Sequence, residues 1–392
     1  MTSLVIFGDT HIRSTSTRNA ARLASWDQIV REGEALPHLG AWIHLGDVFD
    51  AKSTPDDRNQ VAMRLQHMGE SAPTLIVQGN HCAPGDLDIL AELKARYPIQ
   101  VVTRPRVVSL LLATGGRAAI AVIPYPYKSG LIAQGVAHQD MGAAAAEAFD
   151  KICWQLVLDL DEAQSRNYPR LLVGHGTLAG CRTSAGQPMG IDGDVAIMNS
   201  QLAAFGDIPK IFGHIHLPQA IMGAHYAGSI AANDWSETEP KRWIEVAYSL
   251  TGPFAIISHA LDTPALYHVD GELTRDGFTW GMKDKDGVDT GCESLPGFDF
   301  TGAEVRVRFR FIAADKGLLD FESVKAPFAG AKRLDLEPIA EHTRAQRAPE
   351  VAAAQTLEDK IHAYAANAGV AWSETLTDKL GRLQAPDAAE KL

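Results

Sequence analysis

The sequence predicts an α/β domain built from layers of buried strands and helices. A short phrase recurs in the first part of the chain: several apolar residues, then Gly, then Asp, Asn or His. Short apolar runs bounded by glycine are typical of strands that are buried on both faces. The segments between these runs have helical periodicity over residues 18–36, 56–69 and 141–163. Strands and helices that alternate in this way favour a layered α/β architecture.

Five segments carry the recurring phrase, and each of them ends in polar residues. They are LVIFGD (4–9), WIHLGD (42–47), TLIVQGN (74–80), LLVGH (171–175) and IFGHIH (211–216). In open α/β sheets the ligand crevice lies beyond the carboxyl ends of the strands. Residues about 200 positions apart in the chain could therefore converge on one site. A glycine before each polar residue lets the backbone approach that site closely.

The composition and pattern of the sequence change after about residue 245. Residues 252–300 are rich in Gly, Asp and turn signals, whereas residues 303–336 follow a pattern of strand, short helix and strand. From about residue 344 the chain is Ala-rich and helical, and Asn367 to Gly369 end its first apolar stripe. We therefore predict three parts: a main domain over residues 1–248, a small α+β capping domain over 249–343, and C-terminal helices over 344–392.

Composition excludes several classes of protein. Of the 392 residues 46% are hydrophobic and 21% are charged, which indicates a folded globular chain. No apolar stretch reaches the roughly 18 residues of a membrane helix, so we expect no membrane partner. The N-terminus has neither a basic leader nor a cleavage site.

Charge and cysteine usage narrow the setting further. The formal net charge of -12 argues against nucleic-acid binding by overall charge, but it leaves room for local basic surfaces. The four cysteines, at positions 82, 153, 181 and 292, have no paired spacing. This argues against a disulfide framework and against a thiolate zinc site, and a reducing cytoplasm fits best.

The polar ends of the five segments suggest a metal site. They read Gly8-Asp9-Thr10-His11, Gly46-Asp47-Val48-Phe49-Asp50, Gly79-Asn80-His81, Gly174-His175 and Gly213-His214-Ile215-His216. Side chains alternate in an extended segment, so His214 and His216 could point to a common centre. Buried Asp, Asn and His are costly unless they are paired or bound to a metal. Carboxylate, amide oxygen and imidazole without thiolate suit Mn, Fe or Zn better than Ca or Cu(I).

This motif series resembles that of the calcineurin-like metallophosphoesterases, GDxH, GDxxD, GNH(D/E), GH and GHxH, over roughly residues 1–245. The resemblance implies a four-layer β-sandwich flanked by helices, with two divalent metals at the strand ends. Mn²⁺ is the first expectation, and Fe²⁺, Zn²⁺ and Mg²⁺ are alternatives. The implied ligands of one metal are Asp9, His11, Asp47 and His216, and those of the second are Asn80, His175 and His214, with Asp47 as the bridge.

The same resemblance implies a catalytic role for two further residues. A water activated by the two metals would attack the phosphodiester. His81 would donate a proton to the leaving oxygen, and Asp50 would hold the His81 ring. The family has an acidic residue after GNH, where this chain has Cys82. The support that such an acid gives to the site differs here, whereas the metal ligands are all present.

Finer features resemble the double-strand-break repair nucleases of the Mre11/SbcD type, from bacteria and their phages. GDTHI at 8–12, HLGDVFD at 44–50 and YAGSIAANDWSE at 226–237 carry this resemblance. It implies a metal-dependent DNA exonuclease, to which an endonuclease activity could be added, in DNA repair and recombination. The implied partners are DNA and an SbcC/Rad50-like coiled-coil ATPase that binds the C-terminal helices. A homodimer stays open.

Two other functions are compatible with parts of the pattern. A phosphodiesterase or phosphatase for small-molecule or nucleotide phosphoesters would carry the same motif series. A binding module that has lost catalysis and only positions DNA or an ATPase is a third hypothesis. The sequence disfavours it, because all seven implied ligands and His81 are present.

Several basic residues are candidates for DNA contacts. Arg306, Arg308 and Arg310 alternate along one predicted strand, so they should share one face. Three aligned guanidinium groups could follow a phosphate backbone. The alternative is a solvated face of an edge strand that discourages strand pairing. Further basic candidates are Arg104, Arg106, Lys241 and Arg242.

Other polar and aromatic residues are expected to have structural roles. His44 should pack or form a hydrogen bond rather than bind a metal. The cysteines should act as small apolar core groups. Tyr125 and Tyr127, which lie between prolines, either stack on a base or pack in the turn, and turn packing is favoured.

Overall fold

The structure is a computed structural model, and it describes residues 1–83, 85–127, 141–164, 168–184, 195–248, 253–282, 299–342 and 349–384. The chain divides into two compact units. The first consists of Met1–His268, Asp299–Arg306 and Gly330–Leu334, and the second of Val269–Phe298, Val307–Ala329 and Asp335–Leu392.

The first unit contains two six-stranded sheets. The strands of one are β1 (Thr2–Phe7), β2 (Leu39–His44), β3 (Thr74–Val77), β4 (Ile99–Val102), β11 (Arg242–Tyr248) and β12 (Ala255–Ala260). The strands of the other are β5 (Arg106–Leu111), β6 (Arg117–Ile123), β7 (Arg170–His175), β8 (Lys210–Gly213), β9 (Gln219–Ile221) and β10 (Ala224–Tyr226). Their orders are β12-β11-β1-β2-β3-β4 and β5-β6-β7-β8-β10-β9. The strands from β1 to β4 run parallel, as do β6, β7, β8 and β10.

Helices follow the strands as the periodicity predicts. They are α1 (Asn19–Glu34), α2 (Pro55–Ser71), α3 (Asp88–Ala91), α4 (Met141–Gln164) and α5 (Asn199–Ala204). The three long ones confirm the helices predicted over 18–36, 56–69 and 141–163. Local chemistry sets the start of α2: Thr54 accepts a hydrogen bond from the backbone of Asp57, whose side chain accepts one from the backbone of Thr54, and Pro55 opens the first turn.

Three apolar cores separate four layers. Leu4 and Ile6 of β1 pack between the two sheets, together with residues of β6, β7 and β8. Val5 and Phe7, on the other face of β1, pack against α1 and α2. On the far side of the second sheet, Phe149 and other apolar residues of α4 form the third core. The predicted four-layer α/β fold is confirmed.

A third sheet comprises four strands that follow the first two sheets in the chain. These are β13 (Leu266–Thr274), β14 (Gly277–Met282), β15 (Glu304–Ile312) and β16 (Arg333–Glu341), in the order β14-β13-β15-β16. The predicted pattern of strand, short helix and strand over 303–336 is present, except that three short 3-10 helices replace one helix: Ala313–Leu318, Phe321–Val324 and Ala326–Phe328.

The turn-rich stretch 252–300 contributes more strand than its composition indicates. β12 pairs with β11 in the first sheet, and β13 pairs with β14 across the turn before Gly277. The predicted boundary at residues 248 and 249 therefore falls between two strands of one sheet. The division into three parts stays a prediction.

The C-terminal stretch forms α6 (Pro349–Ala353), α7 (Leu357–Asn367) and α8 (Glu374–Gln384). The end of the first stripe at Asn367 is confirmed, and Gly369 adopts a φ of +69° just after it. The predicted stripe is split, because Thr356 caps a new helix by accepting a hydrogen bond from the backbone of Asp359. Among the helices of the described ranges, none is long and apolar enough to span a membrane.

Candidate metal centre

Polar residues at the carboxyl ends of β1, β2, β3, β7 and β8 meet in one cluster. It contains two groups whose ligand atoms lie within 4.8 Å of one another: Asp9, His11 and His216, and Asp47, His175 and His214. Asn80 joins the second group, because its Oδ1 lies 3.1 Å from His175 Nε2 and 3.0 Å from His214 Nδ1. The structure thus brings together all seven residues of the implied ligand set. Metal binding by them stays a prediction.

Asp47 contacts both groups. Its Oδ2 lies 3.2 Å from His175 Nε2 and 3.8 Å from His11 Nε2, and its Oδ1 accepts a hydrogen bond of 2.8 Å from the backbone N–H of His81. Burial opposes ionisation of Asp47, but the imidazoles of His175 and His11 outweigh it and hold the pKa of this carboxyl well below its usual range. A carboxylate that is ionised and faces both groups fits the implied bridging role.

Backbone strain is concentrated at the cluster. Asp9, His11, Asp47 and His214 have φ values of +50°, +45°, +50° and +95°. Residues other than glycine rarely adopt a positive φ, and such backbone strain persists mostly at functional sites where the surroundings enforce it. Both carboxylate oxygens of Asp9 accept hydrogen bonds from the backbone N–H of His214, at 2.9 and 3.2 Å. This contact joins the ends of β1 and β8.

Two of the motif glycines make room for the cluster. A Cβ at Gly46, whose φ is +113°, would collide with the ring of His175. A Cβ at Gly79 would collide with Asp47. The close approach of backbone to ligand explains why glycine precedes the polar residue in these two motifs.

The hydrogen bonds of His175 show that this donor set fits a cation. Its Nδ1–H donates to the carbonyl of Leu45 at 2.8 Å, so Nε2 carries the lone pair when the ring is neutral. Nε2 faces oxygens of Asp47 and Asn80, which are also acceptors. Burial opposes protonation of His175, yet the carboxylates of Asp47 and Asp9 raise its pKa to about 9. A divalent cation in place of that proton would satisfy all three acceptors.

In the first group, carboxylates lie behind the imidazoles. His216 Nδ1–H donates to Glu237 Oε1 at 2.6 Å, and His216 Nε2 lies 3.0 Å from His11 Nε2. His11 Nδ1 lies 3.5 Å from Asp50 Oδ1. Burial lowers the pKa of His11 and so favours its neutral, metal-binding form. Both Nε2 atoms can then direct lone pairs to one point, as ligation of one cation requires.

Glu237 is a residue of the site to which the motif series assigns no role. It closes the segment 226–237 and is 2% exposed. Burial opposes its ionisation, but the contacts with His216 and Lys241 keep its pKa well below the usual range. Asn233, in the same segment, lies 3.3 Å from His216 Nδ1 through its Nδ2. In the sequence, Glu237 is visible only as the acidic residue that ends the segment 226–237, and the neighbouring residues do not indicate that it contacts His216.

His81 is exposed beside the first group, and its ring centre lies 4.8 Å from that of His11. Its Nδ1–H donates to the backbone carbonyl of Asp50 at 2.8 Å. The carboxylate of Asp50 faces His11 and Arg13 instead, and the nearby His11 ring is the main reason why the pKa of Asp50 falls to about 2. Asp50 thus holds the His81 ring through its backbone. His11, Asp50 and His81 also lie close enough together to hold a metal.

Residues expected to be structural are structural in the described ranges. Cys82, Cys153 and Cys181 are buried, and burial raises the pKa of the Cys82 thiol to about 12, so it is neutral. Cys292 lies outside the described residues. His44 accepts from the N–H of Gly46 at 3.2 Å and donates to Thr10 Oγ1 at 3.1 Å. Burial lowers the pKa of His44 to about 3, which confirms a neutral, hydrogen-bonded ring.

Two cavities adjoin the cluster. One of about 240 Å³ is lined by His214, His216, Glu237 and five neighbours. The other, of about 450 Å³, is lined in part by Arg104, Tyr125 and Tyr127. The Tyr125 ring lies 5.4 Å from that of His214, and the Tyr127 hydroxyl donates to the carbonyls of Gly79 and Asn80 at 3.3 and 3.2 Å. The tyrosines pack in their turn and also form a cavity wall.

The three arginines of β15 share one face, opposite the buried apolar residues of that strand, as predicted. Arg308 lies 3.4 Å from Glu337, and Arg310 lies 3.8 Å from Glu341, both on β16. The alternative interpretation of an edge strand is wrong, because β15 lies between β13 and β16. A role of Arg306, Arg308 and Arg310 in DNA binding stays a prediction.

The further basic candidates differ in exposure. Arg104 and Arg106 are exposed. Arg242 is half-buried and donates to the carbonyl of Tyr226 at 2.8 Å. Lys241 is only 1% exposed and donates to Glu237 at 2.7 Å. The interpretation of Lys241 as a DNA contact is wrong, because a buried and paired ammonium group is not available to phosphate.

Comparisons with known proteins agree with the motif series. Residues 2–218 match the family of calcineurin-like phosphoesterases. No curated protein sequence matches the chain. Solved structures similar to it include a protein of unknown function from Aquifex aeolicus, at 14% identity and a TM-score of 0.23, over 45% of this chain and 78% of that one. The sulfate thiohydrolase SoxB of Thermus thermophilus, in complex with glycerol, is similar at 9% identity and a TM-score of 0.34. That match covers 66% of this chain and 56% of SoxB, little more than half of its length.

Proposed function

This chain belongs to the calcineurin-like phosphoesterase family, whose members are metal-dependent phosphoester hydrolases, and we propose that its substrate is DNA. The proposed activity is that of an exonuclease of the Mre11/SbcD type in DNA repair and recombination, and endonuclease activity is a second proposed activity of the same site. One observation carries this narrower proposal. The segment 226–237, one of the three that carry the nuclease resemblance, contacts the metal-ligand candidate His216 through Asn233 and Glu237.

Seven side chains of the cluster would hold metal ions, and His81 would donate a proton. Asp9, His11, Asp47 and His216 would hold one divalent cation, and Asn80, His175 and His214 a second, with Asp47 shared. Two bound cations, Mn²⁺ first, would supply Lewis-acid activation of water and of the phosphoryl group. Hydrolysis adds hydroxyl to phosphorus and breaks the bond to the leaving oxygen, which needs a proton. In its imidazolium form His81 donates this proton from Nε2, while its Nδ1–H keeps the hydrogen bond to the Asp50 carbonyl.

The surroundings of the cluster suit a diester. A phosphodiester carries two substituents on phosphorus, and two cavities lie beside the cluster: His214 and His216 line the smaller one, and the larger one is lined by Tyr125 and Tyr127, which contact His214 and the backbone of Asn80. The larger one presents two tyrosine rings and the exposed guanidinium of Arg104. Aromatic faces and arginine are the groups on which nucleic-acid bases and phosphates bind without sequence preference.

The test is a Mn²⁺-dependent assay on end-labelled duplex DNA, run beside bis(p-nitrophenyl) phosphate, p-nitrophenyl phosphate and a cyclic nucleotide. We expect release of nucleotides from the duplex, and no release by the Asp47→Ala variant purified in the same way. Rapid turnover of cyclic nucleotides or monoesters without degradation of duplex DNA would show that the chain is a small-molecule phosphodiesterase or phosphatase and not a nuclease. Equal activity of the variant would point to a contaminating nuclease and to a chain that only binds.

The proposed partner is an SbcC/Rad50-like coiled-coil ATPase. The support is the resemblance and the C-terminal helices, where Leu357 and Tyr364 expose large apolar side chains. A neighbouring reading frame with a Walker A motif interrupted by long heptad repeats would identify it. Cysteine usage supports a cytoplasmic location for such a complex.

A further inference from the structure

The buried carboxylate of Glu237 is fully engaged. Its Oε1 accepts the Nδ1–H of His216 at 2.6 Å. Its Oε2 accepts from Ser229 Oγ at 2.8 Å and from Lys241 Nζ at 2.7 Å. Glu237 and Lys241 are 2% and 1% exposed, and Ser229 is fully buried. Because both oxygens are occupied, the carboxylate has little freedom to rotate.

Burial of this ion pair is costly unless every charge is compensated. Lys241 meets the requirement with three acceptors, since its Nζ also donates to Ser229 Oγ at 3.0 Å and to Glu239 Oε1 at 2.8 Å. The Oε1 of Glu237, which is not the oxygen that contacts Lys241, directs its negative charge at the imidazole of His216. Such a charge fixes the protonated nitrogen of His216 as Nδ1 and makes Nε2 a better donor to a metal.

The two ligand groups differ in this respect. The Nδ1–H of His175, in the second group, donates to the neutral carbonyl of Leu45. The Nδ1–H of His216, in the first group, donates to a carboxylate that is itself held by a lysine. Charge assistance of this kind therefore acts on His216 and not on His175.

We propose that Glu237 is a positioning residue that acts through His216 and sets the metal affinity of the Asp9, His11 and His216 position, with Lys241 and Ser229 as its support. The inference rests on the proposed metal centre. It predicts that the two metal positions respond differently to loss of Glu237: the first weakens and the position at Asp47, His175 and His214 does not.

The experiment measures Mn²⁺ binding to the full chain by equilibrium dialysis and elemental analysis, with electron paramagnetic resonance to detect a coupled Mn pair. For Glu237→Gln we expect the affinity of one of two Mn²⁺ ions to fall about 10- to 100-fold. At intermediate free Mn²⁺ the coupled signal gives way to that of a single ion, and higher Mn²⁺ restores it.

Glu239→Gln is the matched control. Glu239 accepts from the same lysine and from Ser184 Oγ at 2.9 Å, but within the described ranges it forms no hydrogen bond or ion pair with His216. We expect this variant to bind two Mn²⁺ ions with wild-type affinity. An equal loss in both glutamine variants would show that Glu237 only stabilises its loop, and would overturn the inference.

Two further variants test the same inference, and the first of them does not depend on whether Glu237→Gln folds. Glu237→Asp keeps the charge opposite Lys241 but shortens the reach to His216, so we expect a similar loss of affinity. In the His216→Ala background, Glu237→Gln should cause no further loss, because its effect passes through the missing ring. Wild-type affinity in a folded Glu237 variant, or an additive loss in the double variant, would overturn the inference. Fewer than two Mn²⁺ ions in the wild type would contradict the proposed metal centre itself.

Discussion

In the first ligand group, the Nε2 atoms of the two imidazoles face each other, and each Nδ1 faces a carboxylate. Asp50 lies behind His11, and Glu237 lies behind His216. These contacts decide which nitrogen presents its lone pair to the centre. At the scale of single residues, the chemistry of the cluster therefore depends as much on these supporting groups as on the ligands.

The shared position of Asp47 predicts the effect of its removal. In the Asp47→Ala variant both ligand groups lose a carboxylate, and His81 loses the acceptor of its backbone N–H. We expect loss of both Mn²⁺ ions and phosphodiesterase activity at background, measured by elemental analysis and bis(p-nitrophenyl) phosphate turnover. A variant that keeps two ions and part of its activity would exclude Asp47 as the bridge.

His81 predicts a different outcome. Its ring is exposed and is held by the Asp50 carbonyl, so the His81→Ala variant should keep both Mn²⁺ ions and lose about 10²- to 10⁴-fold in turnover, the usual effect of a general acid. His67→Ala is the control, because His67 is an exposed histidine of α2. Loss of a metal ion in His81→Ala would instead make His81 a ligand, together with His11 and Asp50.

At the scale of elements, strand ends place the ligands and helix caps fix the connections between them. α2 begins five residues after Asp50, and its first turn is fixed by Asp57, which is buried. The two carboxylate oxygens of Asp57 accept from the backbone N–H groups of Ser14 and Thr54, at 2.6 and 2.8 Å. Asp57 thereby joins the segment after the first motif to the start of α2.

This cap predicts a pH-dependent contribution to stability. Burial opposes ionisation of Asp57, but the N–H groups of Ser14 and Thr54 outweigh it and lower its pKa. A carboxyl with a lowered pKa stabilises the fold above its unfolded pKa of about 4, and this contribution is lost as the pH falls through the folded pKa. We expect Asp57→Asn to cost about 1 kcal/mol of unfolding free energy at pH 7.

Denaturant unfolding at several pH values checks this prediction. The difference between wild type and Asp57→Asn should shrink as the pH falls below about 4. Asp56→Asn, at the exposed neighbouring position, should change little at any pH. A constant difference down to acidic pH would mean that shape, and not charge, accounts for the effect of Asp57.

The arginine face of β15 predicts salt-dependent DNA binding. If the three guanidinium groups contact phosphates, replacing Arg306, Arg308 and Arg310 with Ala should lower the slope of log affinity against log salt by up to about 2.7. Fluorescence anisotropy of a labelled duplex in EDTA measures it. A control with the same charge change replaces the exposed residues Arg31, Arg96 and Arg117. If both triple variants had the same slope, the arginines of β15 would form an ordinary solvated surface and not a DNA-binding face.

At the scale of the whole molecule, the seven ligand candidates and His81 all belong to the first unit. The helices α6, α7 and α8 contribute no residue to the cluster. The formal net charge of -12 makes DNA binding by overall attraction unfavourable, so a nuclease of this composition depends on local basic groups and on bound cations.

Deletion of residues 344–392 tests this separation. We expect bis(p-nitrophenyl) phosphate turnover and Mn²⁺ stoichiometry within about twofold of the full chain, because no ligand is removed. We expect loss of binding to the ATPase of the neighbouring reading frame, measured by co-purification. A truncated chain that still binds the ATPase would place the interface elsewhere on the molecule.

The sequence alone predicted the α/β layers, the polar strand ends and, through the family resemblance, the seven ligand candidates. Apolar runs, glycine and helical periodicity are local signals, and local sterics and burial decide strands, turns and helices within a few residues. The grouping of Asp9, His11 and His216 apart from Asn80, His175 and His214 came from the motif series, and the geometry agrees with it.

Only the tertiary structure decided what lies behind those ligands. Glu237 reaches His216 across 21 residues, the carboxylate of Asp50 faces His11 while its carbonyl holds His81, and Lys241 is buried. The pairing of β12 with β11, and the interior position of β15, were likewise set by partners distant in the chain. Such contacts form where packing brings separate segments together, and a short window of sequence contains no trace of the partner.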